Sequence, residues 1–219
     1  MSVVQNITNI RKQLPKHVQL VCVSKFHSVE TIQMAYDAGE RIFGESRAQE
    51  LAHKQALLPK DIEWHFVGTL QTNKVKQVVP IVTLIHSVDS LKLLSAINRY
   101  AENQGLISRV LLEVHIAQEE TKHGFTIEEI TTFFSQSLWG DYPAVQICGL
   151  MTMGTNGVTE QENRNEFESI AALFKEIKMS FNASYFNVLS MGMSNDYKIA
   201  IKAGSNMVRI GSSIFGERV

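Results

Sequence analysis

The sequence predicts an α/β protein, a single (β/α)8 barrel with one extra helix at its amino end. Three observations carry this. Short apolar runs alternate with amphipathic stretches along the whole chain, the signature of a parallel sheet wrapped by helices. Eight such runs suit a closed barrel, and 219 residues lie near that fold's lower size limit. Polar residues gather after the runs, at the strand ends where such barrels carry their sites. A doubly wound open sheet shares the alternation and stands as the alternative on pattern alone. No Pro/Gly/Ser-rich linker or charge block divides the chain, so one domain over 1–219 is expected.

The elements follow in order. An opening helix spans Ser2 to Leu14. Strands are expected at Leu20 to Ser24, Arg41 to Gly44, Trp64 to Gly68 and Thr83 to His86. Four more are expected at Arg109 to His115, Gln146 to Met151, Tyr185 to Ser190 and Met207 to Ile210. Ser28 precedes Val29-Glu30-Thr31 as an N-cap, and Gly39 after Ala38 is a stop signal. Asp89 is the expected cap of a helix running to about Asn103, with Gly105 beyond it. Thr126 before Ile127-Glu128-Glu129 forms a capping box. The longest helix, Glu160 to Met179, follows the loop Gly154-Thr155-Asn156-Gly157.

Composition removes several function classes. A net charge of −1 supplies no global basic field of the kind that drives nucleic-acid binding. No apolar stretch approaches a membrane span, and the amino terminus lacks the pattern of a signal peptide. Cys22 and Cys148 fall inside apolar runs, where free cysteine behaves as a small hydrophobe. A soluble cytoplasmic protein is expected. Seven histidines and two cysteines form no ligand-spaced cluster, so no metal is expected. Phosphate-loop and dinucleotide fingerprints are absent, and Ser190 and Ser194 lack the nucleophile-elbow context.

Lys25 carries the chemistry. It closes the apolar run Leu20-Val21-Cys22-Val23-Ser24, and poor solvation there favours the neutral amine that attacks carbonyls. Taken alone, it also reads as a lysine that ends a strand and faces water. Near the other end, Met207-Val208-Arg209-Ile210 runs into Gly211-Ser212-Ser213, a turn with the composition of a phosphate cradle. Gly211 lets the backbone approach a phosphate closely, Ser212 adds a hydroxyl, and Ser194 donates from the neighbouring loop. Arg209 would point inward and meet a cofactor ring. An aldehyde-trapping lysine beside a phosphate site points to pyridoxal phosphate. His65 within Trp64-His65-Phe66 reads first as a hydrogen-bonded core histidine.

Taken together, these segments resemble a known family. Val23-Ser24-Lys25, Phe43-Gly44-Glu45, Trp64 to Lys74, Gly149 to Met153, Leu189 to Asp196 and Arg209 to Gly216 look like the pyridoxal-phosphate homeostasis proteins. The likeness covers essentially the whole chain. It implies a fold-type III barrel similar to the N-terminal domain of bacterial alanine racemase. It implies the cofactor lysine at Lys25, phosphate contacts from Ser194, Gly211 and Ser212, and Arg209 facing the pyridine nitrogen. A permanently charged guanidinium there keeps the nitrogen unprotonated and weakens the ring as an electron sink. Ser46 departs from the asparagine usual in the family.

The resemblance implies a cofactor carrier or buffer with no catalytic residues. It would hold pyridoxal phosphate as a Schiff base on Lys25 and pass it to dependent apoenzymes, as a cytoplasmic monomer. The racemase's second, β-rich domain is not expected, since the barrel consumes the chain. The alternative is a pyridoxal-phosphate enzyme such as a racemase, with His65, His86, His115 or Tyr36 as second acid/base group. A third reading is a Schiff-base aldolase that binds a sugar phosphate through Ser194 and Gly211.

Overall fold

Leu20, Cys22, Val208 and Ile210 join one hydrophobic core, while Val21, between the first two, and Met207, just before Val208, join another. Strands covered on both faces require that alternation. The structure, a computed structural model, describes residues 2–116, 123–155 and 157–216. Its strands are β1 (Gln19–Val23), β2 (Ile42–Glu45), β3 (Glu63–Phe66), β4 (Leu84–Val88), β5 (Ser108–Glu113), β6 (Val145–Met151), β7 (Val188–Ser190) and β8 (Met207–Ile210). Each pairs in parallel with the next, and β8 returns to β1 through Leu20 opposite Val208 and Cys22 opposite Ile210. That closure decides for the (β/α)8 barrel over the open sheet.

The helices are α1 (Val3–Gln13), α2 (Val29–Asp37), α3 (Ala48–Leu57), α4 (Val75–Val78), α5 (Leu91–Asn103), α6 (Ile127–Ser135), α7 (Glu160–Phe181), α8 (Tyr197–Lys202) and α9 (Ser212–Phe215). α1 precedes the first strand, as expected. Ser28 caps α2 by accepting from the Thr31 N–H, and Thr126 makes its capping box with Glu129. Thr159 and Glu162 form a second capping box at the start of α7.

Some boundaries differ, each for a local reason. The cap of α5 is Ser90, whose hydroxyl accepts from the Leu93 N–H; Asp89 instead accepts from that hydroxyl. β7 begins at Val188, not Tyr185, because the Phe186 N–H turns back onto the Ala183 carbonyl. Phe186 packs into an aromatic cluster with Phe134, Phe174 and Phe181. Burying such a ring contributes about 1.5–3 kcal/mol, which fixes the segment before the strand starts. α7 runs on to Phe181, where Asn182 at φ 46° takes the left-handed stop. Asn156 of the loop before it lies outside the described residues.

The inner core is small: Val21, Leu84, Leu111, Cys148, Met151, Val188 and Met207. Above it, towards the carboxyl ends of the strands, the barrel interior becomes polar, with His65, His86, Ser190 and Arg209 all buried.

Candidate functional site

Strand β1 ends in a tight turn that carries Lys25. The His27 N–H donates to the Ser24 carbonyl at 3.1 Å, and Phe26 sits at φ 70° while Lys25 keeps a negative φ. That is the φ pattern of a type II turn, whose third position favours glycine. A cavity of about 270 Å³ opens at this turn, lined by Val23, Lys25, His27, Val67, Ser194, Arg209, Gly211 and Ser212 among others. All five residues singled out from the sequence for a cofactor therefore share one cavity. The cleft of about 390 Å³ between α6 and α7 is larger but lies on the outer wall, away from the strand ends.

Arg209 follows Met207 by two residues and shares its inward face. Its Nη1 donates to the Ser190 carbonyl at 2.9 Å and to the Ser190 hydroxyl at 2.7 Å. Its Nη2 donates to the Thr152 carbonyl at 2.9 Å. A guanidinium has five N–H groups, so those on Nε and one on Nη2 are left without a protein acceptor among the described residues. Burial pulls this group down to about 10, against the charges of Glu113 and Asp196, so it stays cationic near neutrality. Burial pushes the Glu113 carboxyl up to about 7; Arg209 opposes that rise and Asp89 adds to it.

The glycine–serine turn is built where β8 crowds β1. A Cβ on Gly211 would lie 3.0 Å from the Val23 carbonyl oxygen, so this position suits glycine. Ser212 opens α9, where the first N–H groups have no carbonyl ahead of them in the helix. The Ser194 hydroxyl accepts from the Ser213 N–H at 3.3 Å, tying the loop after β7 to this turn. As an acceptor there, it still has its own proton to donate.

Two networks were not foreseen. Lys54 of α3 is buried and donates to the Ser24 carbonyl at 2.9 Å, to Glu45 Oε1 at 2.8 Å and to Glu50 Oε2 at 3.2 Å. Glu45 is fully buried and also accepts from the Ser24 hydroxyl at 2.6 Å. Burial pushes its carboxyl up, against the pull of Lys54. Only the Glu50–Lys54 spacing of four on a helix hinted at this. The second network joins His65, His86 and Ser190 beneath Arg209.

The remaining candidates separate. Ser46 lines a neighbouring cavity with Arg47, Thr69 and Lys74. Its carbonyl would lie 2.5 Å from a Cβ on Gly68, so the two loops touch there. The Tyr36 hydroxyl, on the outer helix α2, donates to Asp61 and is not in the Lys25 cavity. His65, His86 and His115 do not line it either. His27, which the sequence reading passed over, does; burial and then the charge of Lys54 hold it below the ordinary histidine value.

Among the described residues no group of three or more candidate ligands could hold a metal ion. No helix in them is long and apolar enough to cross a membrane.

Residues 2–219 match the family described as alanine racemase, N-terminal domain. A protein of Aquifex aeolicus named pyridoxal phosphate homeostasis protein is 39% identical over 201 residues, 91% of this chain and 87% of that one. One of the same name in Schizosaccharomyces pombe is 38% identical over 206 residues, 93% of this chain and 85% of the other. The solved structure of PipY from Synechococcus elongatus with pyridoxal phosphate bound superposes with a TM-score of 0.90 at 34% identity. It covers 98% of this chain and 100% of that chain.

Proposed function

Because this chain belongs to the family of pyridoxal phosphate homeostasis proteins, with a barrel of the alanine racemase N-terminal kind, we propose that it binds pyridoxal phosphate and buffers it through Lys25. The observation that carries the reading is the shared cavity of Lys25, Ser194, Arg209, Gly211 and Ser212. These residues fit the group. One amine suits an aldehyde, and the hydroxyls and helix-start N–H groups beside a glycine suit a phosphate. A cation with two uncommitted N–H donors suits a neutral ring nitrogen.

When bound, pyridoxal phosphate supplies an aldehyde carbon that an amine joins reversibly. The chain's own residues do the rest. Lys25 offers the amine from the end of β1; Ser194, Gly211 and Ser212 hold the phosphate; Arg209 keeps its charge at the inner wall. Because Arg209 gives no proton to a ring nitrogen at neutral pH, the site holds the cofactor without strengthening it as an electron sink. That supports a carrier rather than an enzyme, one that passes its load to dependent apoenzymes. The reading includes a monomer in the cytoplasm; two free, buried thiols, Cys22 and Cys148, suit a reducing compartment.

The test is borohydride reduction of the protein mixed with pyridoxal phosphate, followed by peptide mass mapping. A pyridoxyl adduct on Lys25, absent from Lys25→Ala along with the visible absorbance band, is expected. A band that survives Lys25→Ala overturns the reading. The position of His27 beside Lys25 favours one second reading, an enzyme acting on amino acids. It requires exchange of an amino acid's α-hydrogen in heavy water, well above free cofactor, and loss of that exchange in His27→Ala.

A further inference from the structure

The turn that presents Lys25 is held in an unfavourable shape. Phe26 lies at φ 70°, a conformation that L side chains rarely adopt. A phenylalanine held there calls for a reason. The reason lies across the groove, on α3. Glu50 Oε2 accepts the Phe26 N–H at 3.0 Å. The Arg47 guanidinium covers the Phe26 ring at 4.6 Å from its centroid and meets Glu50 at 3.6 Å. Lys54 binds the Ser24 carbonyl at 2.9 Å and Glu50 at 3.2 Å. Glu50 and Lys54 are four apart on α3 and share one side of it, and Arg47, the N-cap residue, meets Glu50 from the end of the helix. They grip the residues immediately before and after Lys25, which lines the cavity.

We propose that Arg47, Glu50 and Lys54 form a clamp that keeps the Ser24–His27 turn left-handed at Phe26 and thereby aims the Lys25 amine. They are positioning residues, and Glu50 is the central one because it touches both the turn and Lys54. The inference rests on the reading of Lys25 as the aldehyde-binding group. In that step the amine nitrogen adds to the aldehyde carbon, and the carbonyl oxygen leaves as water with the amine's two protons. A clamp speeds the addition by holding the nitrogen on line. Its loss lets the turn relax and the amine swing.

The experiment compares Glu50→Ala with wild type, each in the native background and in Phe26→Gly. Glycine adopts the turn without strain and has no need of a clamp. Two quantities are read: exchange of the residue 26 amide in the cofactor-free protein, and the rate of absorbance change on adding pyridoxal phosphate. In the native background, Glu50→Ala should speed amide exchange and slow capture, each about tenfold. In the Phe26→Gly background, the effect of Glu50→Ala on capture should shrink to about twofold or less. Equal capture losses in both backgrounds would mean that Glu50 acts only through general stability, and the clamp would be wrong. Unchanged exchange and capture in Glu50→Ala would overturn it as well. Lys25→Ala is the separate control: a band retained there removes the reading beneath the clamp, whatever Glu50 does.

Discussion

Nδ1 of His65 lies 2.9 Å from Nε2 of His86, and the direction of that hydrogen bond is set by Arg209. The guanidinium can only donate. Its Nη1–H takes a lone pair of the Ser190 hydroxyl at 2.7 Å. The Ser190 proton then has one acceptor among the described residues, His86 Nδ1 at 3.0 Å. His86 must carry its own proton on Nε2 and donate it to His65 Nδ1, which leaves the His65 proton on Nε2. One fixed charge thus selects two tautomers across three hydrogen bonds.

Both rings should stay neutral well below the ordinary histidine range. Burial pulls His65 down to about 3, with the charge of Arg109 adding to it. Burial, then His65 and Arg209, hold His86 well below its usual value. Nitrogen NMR of the imidazoles should show two Nε2–H tautomers with no titration between pH 5 and 8. Each ring's contribution to stability is present above the unfolded histidine value of about 6.5 and is lost as pH falls towards the folded value. Ser190→Ala should cost about 1–3 kcal/mol by leaving His86 Nδ1 and an Arg209 N–H unpaired. A titration midpoint near 6.5 for either ring would refute the chain.

Glu113 predicts a slope of the opposite sign. Its folded value of about 7 stands above the ordinary 4.5, because burial disfavours the carboxylate. Its contribution is complete below the unfolded value and is lost as pH rises through the folded one. Glu113→Gln should therefore look more favourable at pH 8 than at pH 5, by about 3 kcal/mol. Denaturant melts at the two pH values check this, and a difference that does not depend on pH would sink it. Between 4.5 and 6.5 the glutamate and histidine slopes oppose each other, so wild type alone hides both.

The barrel was legible in the sequence because each strand is an apolar run between helix signals, and β8 was read to the residue. Five residues of the cavity were legible because they lie near or just beyond the carboxyl ends of strands, where backbone direction and strand parity already aim them. What could not be read was which polar residues meet across the barrel. His65 and His86 are 21 residues apart, and His86 and Ser190 are 104 apart. Only barrel closure joins them. Lys54 was missed for a different reason: a lysine on a helix is normally solvated. Its burial depends on the Glu45 carboxylate and the Ser24 carbonyl, supplied by other segments, besides Glu50 on its own helix.

Gly149 tests the closure directly. It sits opposite Val188 at φ 153°, and a Cβ there would fall 1.8 Å from the Val188 carbonyl oxygen. That atom is backbone and cannot swing aside. Gly149→Ala should break the β6–β7 contact and cost at least about 3 kcal/mol, seen as a marked fall in Tm. Gly140→Ala is the control, since a Cβ there meets nothing within 4 Å. Equal melting of the two variants would contradict the register.

Lys54 makes the sharpest electrostatic prediction. It is the cation paired with Glu45, at 2.8 Å, with both side chains almost wholly buried. Removing one partner of such a pair leaves an uncompensated charge, at a cost of about 3–5 kcal/mol. Lys54→Met should therefore destabilise strongly. It should also raise the Glu45 carboxyl further, since Lys54 opposes the effect of burial more than the Ser24 hydroxyl does. The folded protein then prefers the neutral acid, and its stability falls as pH rises. The loss in Lys54→Met should be larger at pH 8 than at pH 5. Adding Glu45→Gln should recover most of it, because the neutral amide can still accept from Ser24. Thermal melts of the single and double variants at both pH values decide the matter. A loss that is equal at the two pH values, or unrelieved by Glu45→Gln, would show that Lys54 acts through packing and not through its charge.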